Sequence, residues 1–372
     1  MRTIKVSVVQ GQDDWGVTFT STQICAVKGS TVEMSCNYKQ TTYMDGYYLT
    51  VQKTFWFIKD SVDLTTDEAD ADRVEYRCDG KRCTLRIRDL RESDSAVYRI
   101  RFITNPLGGL YSSPTGVTLS VTDLRVNVPN SSSSWKTLTC HSDCLLPDHS
   151  TYVWYKNGRD TGIATRSHSV DFQYRDSFSC ALRGFEDFPS ASVYAPKLPS
   201  VSVSPSAEIM EGSSVTLTCS SNANPAANYT WYKRNGNPAL QSLSNESQLI
   251  FSSIQSSDSG LYCCTVENVL GKRTSEDFGI DVKYAPKLPS VSVSPSGEIM
   301  EGSSVTLTCS SDANPAANYT WYKENEDSPK ASGQNFSIIN ATSKHSGKYY
   351  CEVRNSRGHH NSSLDLIIAP GR

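Results

Sequence analysis

The chain of 372 residues carries 36 basic and 39 acidic side chains, a net charge of −3. This length is too great for one sandwich domain and suits three or four. The near-neutral charge balance is unlike the basic, locally patterned surfaces of nucleic-acid-binding proteins, so we expect no nucleic-acid partner. No apolar run approaches the ~20 residues that a membrane-spanning helix needs.

The cysteines and the glycosylation sequons indicate an oxidising compartment. The 12 cysteines are an even number and are distributed along the whole chain. Disulfides and N-glycans are typical of extracellular proteins, so we predict a location at the extracellular side of the plasma membrane or in the secreted compartment. The seven predicted glycosylation sites are Asn130, Asn228, Asn245, Asn318, Asn335, Asn340 and Asn361.

Residues 1–16 precede the first predicted domain. The segment MRTIKVSVVQGQ begins with charged residues, but its apolar part, VSVV, is too short for a complete secretion signal. We interpret residues 1–16 as the remnant of a leader. We also expect the full-length protein to carry a membrane anchor that this chain lacks.

The next segment, residues 17–122, has a cysteine and a tryptophan in two strand-like runs. Cys36 lies in TVEMSC, and Trp56 follows twenty residues later in KTFWFIK. A core cysteine followed by a core tryptophan is typical of the immunoglobulin sandwich. The long interval, with further chain before Arg73, predicts the variable type with added C′ and C″ strands. We expect Arg73 and Asp94 to form a structural ion pair at the base of this domain.

Strand F of this domain lacks the cysteine that usually bridges the two sheets. In SDSAVYRIRF, residues 93–102, Ile100 stands at that position. Cys36 therefore needs another partner, and the candidate is Cys83 in the strand-like run RCTLRIRD. A Cys36–Cys83 bond would join strands B and E of one sheet, which leaves the two sheets free to sit further apart.

Alternation along the same strand separates core from surface. Tyr98, Ile100 and Phe102 are predicted to point inward, and Arg99 and Arg101 to point outward. An outward arginine in the middle of a strand offers a planar fork that can donate two parallel hydrogen bonds to a carboxylate. The alternative is a solvated surface arginine without a ligand.

A second domain is predicted over residues 123–195. Cys140, Trp154 and Cys180 repeat the cysteine–tryptophan–cysteine pattern, which predicts a Cys140–Cys180 disulfide. Phe178 stands where a corner tyrosine is expected, so the corner hydroxyl is missing here.

The last two predicted domains, residues 196–284 and 285–372, share a near-perfect repeat. Residues 194–233 and 284–323 differ at two of 40 positions, with a period of 90 residues. Each copy contains the immunoglobulin pattern, with predicted disulfides Cys219–Cys264 and Cys309–Cys351 and corner tyrosines Tyr262 and Tyr349. The predicted fold is all-β: four tandem immunoglobulin-like β-sandwiches, an N-terminal V-type domain followed by three C-type domains.

The first domain resembles the sialic-acid-binding immunoglobulin-like lectins, the siglecs. The resemblance lies in the variable-type tip domain, the missing F-strand cysteine, the cysteine that opens strand E, and the Tyr-x-apolar-Arg run on strand F. It covers the whole chain as architecture, but only the first domain carries family-specific motifs. It implies the Cys36–Cys83 disulfide within one sheet and identifies Arg101, rather than Arg99, as the residue that binds the sialic acid carboxylate.

The resemblance also implies an inter-domain disulfide and further sugar contacts. Cys25 and Cys144 fit the family's bond between the first two domains. The family packs the sugar between an aromatic residue of strand A, which Trp15 matches, and one of strand G. Strand G here carries no tryptophan, and its predicted sugar contacts are made by the backbone near Leu110, Tyr111 and Ser112. Trp15 has an alternative as a leader or core residue.

Two cysteines have no assigned partner. Cys78 could compete with Cys144 for Cys25. Cys263 is adjacent to Cys264, and alternation places it on the outward face, where it is either free or linked to another chain.

We therefore predict an immune adhesion receptor ectodomain at the cell surface. Its first domain would bind sialylated glycoproteins or glycolipids on the same or another cell. The alternative is a protein-binding adhesion receptor with no sialic acid dependence, which would use outward Phe55 and Phe57 on strand C. No motif places a nucleophile beside a base, so we predict no enzyme activity, and we expect no cofactor and no metal.

Overall fold

A computed structural model describes residues 16–40, 43–44, 47–48, 50–58, 64, 72–105, 110–130, 133, 135–234 and 241–371. Over these ranges the chain consists of β-strands, short 3₁₀ turns and loops, without an α-helix. The residues form two compact units. One holds residues up to 195 with 223–225 and 268–271, and the other holds the remainder.

Within the described residues, nine strands of the first domain form the two sheets of a sandwich, and β4 and β5 form a separate two-stranded sheet. One sheet has the order β1-β3-β8-β7. In the other sheet, here the front sheet, β9 pairs with β6, β10 and β11, and β11 pairs with β2. The strands are β1 (Gly16–Phe19), β2 (Gln23–Val27), β3 (Val32–Lys39), β4 (Tyr43–Met44), β5 (Tyr47–Tyr48), β6 (Thr50–Phe57), β7 (Val74–Asp79), β8 (Arg82–Ile87), β9 (Ala96–Asn105), β10 (Leu110–Ser112) and β11 (Val117–Thr122).

Alternation along β9 builds the core of this sandwich, as predicted. Tyr98, Ile100 and Phe102 are buried, whereas Arg99 is exposed and Arg101 is half-buried. Strand β9 is strand F of the immunoglobulin order and β6 is strand C. The region predicted for strands C′ and C″ lies mostly outside the described residues.

The ion pair at the base of the sandwich is confirmed. The Arg73 guanidinium donates to both carboxylate oxygens of Asp94, at 3.0 and 3.1 Å. Both side chains are about nine-tenths buried, with exposed fractions of 9% and 11%. The pair therefore links the start of β7 to the turn before β9.

Four of the five predicted disulfides are confirmed, and one is wrong. The bonds Cys25–Cys144, Cys140–Cys180, Cys219–Cys264 and Cys309–Cys351 are present. Cys83 bonds to Cys78 instead of Cys36, and Cys36 is a buried free thiol. The strand register explains the error, because Cys83 lies directly opposite Cys36 on one neighbouring strand and opposite Cys78 on the other. Cys78 is only five residues from Cys83 along the β7–β8 hairpin. The Cys78–Cys83 bond therefore closes a short loop, which costs little conformational entropy.

This arrangement predicts which thiols react with an alkylating reagent. Burial raises the pKa of the Cys36 thiol to about 12, so at mildly alkaline pH it carries its proton and is a poor nucleophile. We expect the buried thiols of Cys36 and Cys263 to stay unlabelled in the native protein. Both should be labelled once the protein is denatured without a reducing agent. Peptide mapping by mass spectrometry would then find Cys78 linked to Cys83. A Cys36–Cys83 peptide with labelled Cys78 would contradict the observed pairing.

The second sandwich has the sheets β12-β13-β16 and β15-β14-β17-β18. Trp154 and Phe178 are buried in its core, and the Trp154 indole donates to the Thr165 carbonyl at 2.9 Å. The strands are β12 (Arg125–Asn127), β13 (Trp135–His141), β14 (Tyr152–Lys156), β15 (Arg159–Asp160), β16 (Ser167–Asp171), β17 (Ser177–Leu182) and β18 (Val193–Tyr194).

The third and fourth sandwiches repeat one plan. Trp231 and Trp321 are fully buried. The corner tyrosines are confirmed, since the Tyr262 hydroxyl donates to the Asp258 carbonyl and the Tyr349 hydroxyl to the His345 carbonyl. The third has strands β19 (Ser200–Ser204), β20 (Val215–Ser220), β21 (Asn228–Arg234), β22 (Gln241–Ser244), β23 (Gln248–Phe251), β24 (Gly260–Asn268), β25 (Gly271–Thr274) and β26 (Phe278–Ile280).

The fourth sandwich contains the sheets β27-β29-β32, β28-β35 and β31-β30-β33-β34. Its strands are β27 (Ser290–Ser294), β28 (Ile299–Met300), β29 (Val305–Ser310), β30 (Asn318–Lys323), β31 (Ala331–Ser332), β32 (Asn335–Ile338), β33 (Gly347–Asn355), β34 (Gly358–Leu366) and β35 (Ile368–Ala369). The sequon asparagines of the chain all lie at exposed positions, as glycan attachment requires.

Candidate functional site on the front sheet

The outer face of the front sheet brings together residues from three strands. Arg101 on β9 lies opposite Phe55 on β6 and opposite Ser112 on β10. Side chains directly opposite each other in antiparallel strands have Cβ atoms about 5 Å apart. Arg101 is therefore the centre of a row that crosses the sheet.

A hydrogen bond and contacts with aromatic rings help to orient the Arg101 guanidinium. Its Nε donates a hydrogen bond to the Ser112 hydroxyl oxygen at 2.7 Å. Its central carbon lies 4.9 Å from the ring centroid of Phe57 and 5.9 Å from that of Phe55, within the range of a cation–π contact. The rings bind the face of the guanidinium, whereas a carboxylate accepts from N–H groups in its plane, so both interactions are compatible.

Phe55 and Phe57 occupy the outward positions predicted for them, but both are buried. Their exposed fractions are 7% and 5%, and their ring centroids are 6.4 Å apart. The rings support Arg101 and offer little area to another protein. Sequence reasoning named these residues but missed their contact with the Arg101 guanidinium. The signal was the F-W-F run on β6, whose phenylalanines lie opposite the arginines of R-I-R on β9.

The strand G residues fall on opposite sides of the sheet. Leu110 is 67% exposed, and Ser112 shares its outward side with Arg101. Tyr111 is half-buried against the core, with its ring centroid 6.3 Å from that of Phe102. The Tyr111 side chain therefore lies away from Arg101, because strand alternation turns it inward, and a sugar contact at this residue stays a prediction for its backbone. The predicted contact Trp15 lies outside the described residues.

Basic side chains cluster on this outer face. Arg99 pairs with Phe57 across the strands, and the Lys53 amine lies 5.4 Å from the Phe55 ring centroid. Together with Arg101 they place three basic side chains on the described part of this outer face. Among the described residues no group of three or more histidine, cysteine, aspartate or glutamate side chains is placed to hold a metal ion.

Three family models match the chain. The immunoglobulin V-set domain matches residues 19–126, and two models of the immunoglobulin domain match residues 199–268 and 288–368. The chain is a tandem of immunoglobulin domains. The predicted all-β fold, a V-type domain followed by C-type domains, is thereby confirmed.

The chain is similar to receptors and adhesion proteins. It is 34% identical to mouse B-cell receptor CD22 over 233 residues, which cover 60% of this chain and 26% of that protein. It is 34% identical to dog vascular cell adhesion protein 1 over 177 residues, 47% of this chain and 24% of that protein. The chain thus spans about a quarter of each relative's length. Rat limbic system-associated membrane protein is 27% identical over 221 residues, 55% of this chain and 63% of that protein.

Among solved structures, the mouse nectin-like molecule 4 ectodomain aligns with 94% of this chain and 98% of its own length, at 18% identity and a TM-score of 0.40.

In the described ranges no helix has the length and apolar character that crossing a bilayer requires. The predicted location at the cell surface or in the secreted compartment is confirmed by the likeness to extracellular immunoglobulin receptors. The chain is an adhesion-receptor-like ectodomain.

Proposed function

We propose that the first domain is a lectin that binds terminal sialic acid, which makes the chain a siglec-type adhesion receptor. The observation that carries the proposal is Arg101, held at mid-strand on the outer face by Ser112 and the phenylalanine rings. A guanidinium in that position can donate to the carboxylate of the sugar. The exposed Leu110 side chain beside it supplies an apolar contact for the rest of the ligand.

The likeness to B-cell receptor CD22 supports this proposal. The ligands would be sialylated glycoproteins or glycolipids on the same or another cell. The proposed full-length receptor carries a membrane anchor. We further propose N-glycans at the exposed sequon asparagines.

The test is an array of paired glycans with and without terminal sialic acid, probed with the intact chain. We expect signal on the sialylated member of each pair only, and loss of cell binding after sialidase treatment. Equal binding to both members of the pairs, or cell binding that survives sialidase, would contradict the proposal.

Replacing Ser112 with alanine is expected to weaken sialoside binding without unfolding the domain. The change removes the acceptor of the 2.7 Å bond from Arg101 Nε, so the guanidinium loses one of its orienting contacts. A hydrogen bond to a charged group contributes ~1.5 kcal/mol or more, which corresponds to a roughly tenfold rise in Kd. Titration calorimetry with a sialoside measures the change. Thr118→Ala, at an exposed position on β11, is the matched control and should leave Kd unchanged.

A second candidate is a protein-binding adhesion receptor without sialic acid dependence. It is favoured by the exposed apolar side chains of Leu110 and Val97 on the front sheet and by the similarity to vascular cell adhesion protein 1. Leu110→Asp would then abolish cell binding while Arg101→Ala would not.

A further inference from the structure

The fourth sandwich has an open groove of about 480 Å³ on the outer face of the sheet that contains β30 and β33. Its lining includes Asn318, Thr320 and Tyr322 of β30, and Glu352 and Arg354 of β33. This volume lies within the range of small-ligand sites, about 300–1,000 Å³. The groove is thus large enough to hold a few sugar units.

Register places the lining residues in rows across the two strands. Asn318 lies opposite Arg354, and Thr320 lies opposite Glu352. Tyr322 forms the last row with Tyr350. Since alternate residues of a strand share one face, the three β30 side chains form a continuous line along the groove.

The rows differ in chemistry. The rings of Tyr322 and Tyr350 are stacked, with centroids 5.4 Å apart and an interplanar angle of 16°, and both are half-buried. Tyr322 lines the groove, and its ring is held in place by stacking on Tyr350. Within the described part of the chain, neither the Glu352 carboxylate nor the Arg354 guanidinium has a hydrogen-bond or ion-pair partner. The groove therefore combines an aromatic platform with a donor and an acceptor that are available to a ligand.

Asn318 begins the sequon Asn-Tyr-Thr, and its exposed side chain lies on the groove wall. Glycosylation of Asn318, on which this inference rests and which is proposed above, would join its amide nitrogen to the anomeric carbon of a lipid-pyrophosphate-linked oligosaccharide. The amide loses a proton, and the lipid pyrophosphate leaves. The first sugar would then start inside the groove, four residues along the strand from Tyr322, or about 13 Å at ~3.3 Å per residue.

We propose that this groove binds the N-glycan attached to Asn318 of the same chain. The C–H face of one N-acetylglucosamine ring packs on Tyr322, and hydroxyl and acetamide groups at other points along the glycan bond to Glu352 and Arg354. Sugars suit this site because they present an apolar face and polar edges, which match the platform and its charged neighbours. The glycan needs no diffusional encounter, since its attachment holds it beside the groove.

The third sandwich contains a natural comparison. Its repeat places Asn228, Thr230 and Tyr232 on β21 with the same sequence, but the residues opposite differ. Glu267 replaces the arginine and forms an ion pair with Lys272 at 3.6 Å. Cys263, 1% exposed, replaces the second tyrosine. The Asn228 glycan therefore has the same sequon without the arginine or the stacked ring pair.

The experiment uses the whole chain secreted from mammalian cells. The folded protein is digested with peptide-N-glycosidase in ¹⁸O water, which marks each asparagine that has lost its glycan. Mass spectrometry of the peptides then gives the rate of glycan release at each asparagine. We expect the Asn318 glycan to be released roughly fivefold more slowly than the Asn228 glycan. This ratio corresponds to the stabilisation that one additional aromatic contact provides to the bound glycan. Tyr322→Ala should raise the Asn318 rate to the Asn228 rate, whereas the matched Tyr232→Ala should leave the Asn228 rate unchanged.

A second variant and a second readout guard against misfolding. Arg354 is exposed, so Arg354→Ala should preserve the fold and still accelerate release at Asn318. In protein carrying ¹³C-labelled glycans, ring-proton resonances of one N-acetylglucosamine should shift upfield and return in Tyr322→Ala. An unoccupied Asn318, equal release at both sites in the unmodified chain, or slow release that persists in both variants would overturn the proposal.

Discussion

Arg101→Ala is expected to abolish binding of this chain to sialylated cells. Truncating one partner of a hydrogen-bonded charge pair at an interface weakens binding by about 30-fold or more. The domain should stay folded, because the guanidinium lies on the outer face and the core residues of β9 are Tyr98, Ile100 and Phe102. Surface plasmon resonance on immobilised sialosides measures the loss.

Two further variants separate the effect of the planar Arg101 guanidinium from the effect of positive charge alone. Arg99→Ala removes the neighbouring charge on the same strand and should change Kd by only about twofold, since an exposed, solvated charge contributes little. Arg101→Lys keeps the charge but loses the planar fork, so it should restore only part of the affinity. Equal losses for Arg99→Ala and Arg101→Ala would mean that general positive potential, rather than a specific clamp, drives binding.

Asp94→Ala is expected to destabilise the first sandwich by about 3–5 kcal/mol, because it leaves a buried guanidinium uncompensated. Arg73 donates to both Asp94 oxygens and also to the Arg88 and Asp89 carbonyls, so it cannot swing into water without breaking several bonds. The Asp94 carboxylate also accepts from the Arg91 amide at 2.8 Å, which holds the turn before β9.

Native-state hydrogen exchange of β8 and β9 amides in the intact chain measures this change. The matched control is Glu75→Ala, which removes the exposed ion pairs with Arg86 and Arg88 and should cost less than ~1 kcal/mol. A loss for Asp94→Ala no larger than that of Glu75→Ala would show that the buried pair adds little to stability.

Sequence reasoning reached the fold because local patterns specify it. The interval from Cys219 to Trp231, and its copy from Cys309 to Trp321, fixes two strands of each sandwich. Period-two alternation in SDSAVYRIRF was sufficient to separate the buried Ile100 from Arg101. These signals need only the residue type and its position along one strand.

What could not be predicted depends on contacts between strands. The choice of Cys78 as the partner of Cys83 requires the register of β7 against β8. The support of Arg101 by Phe57 requires the register of β6 against β9. The sequence indicates which side chains share a face of each strand, but it does not indicate which residues lie opposite each other on neighbouring strands. Arg101 could therefore be named as a candidate from the sequence, whereas its contacts with Phe57 and Ser112 could not.

The central claim is that the Arg101 guanidinium on the front sheet binds the carboxylate of sialic acid. Nuclear magnetic resonance of arginine-¹⁵Nε-labelled protein, titrated with a sialoside and separately with its methyl ester, tests it most directly. We predict a saturable shift of the Arg101 Nε–H resonance with the acid and none with the ester, while Arg99 stays unchanged. An Arg101 resonance that does not move while the sialoside binds, or that moves equally with the ester, would contradict the claim.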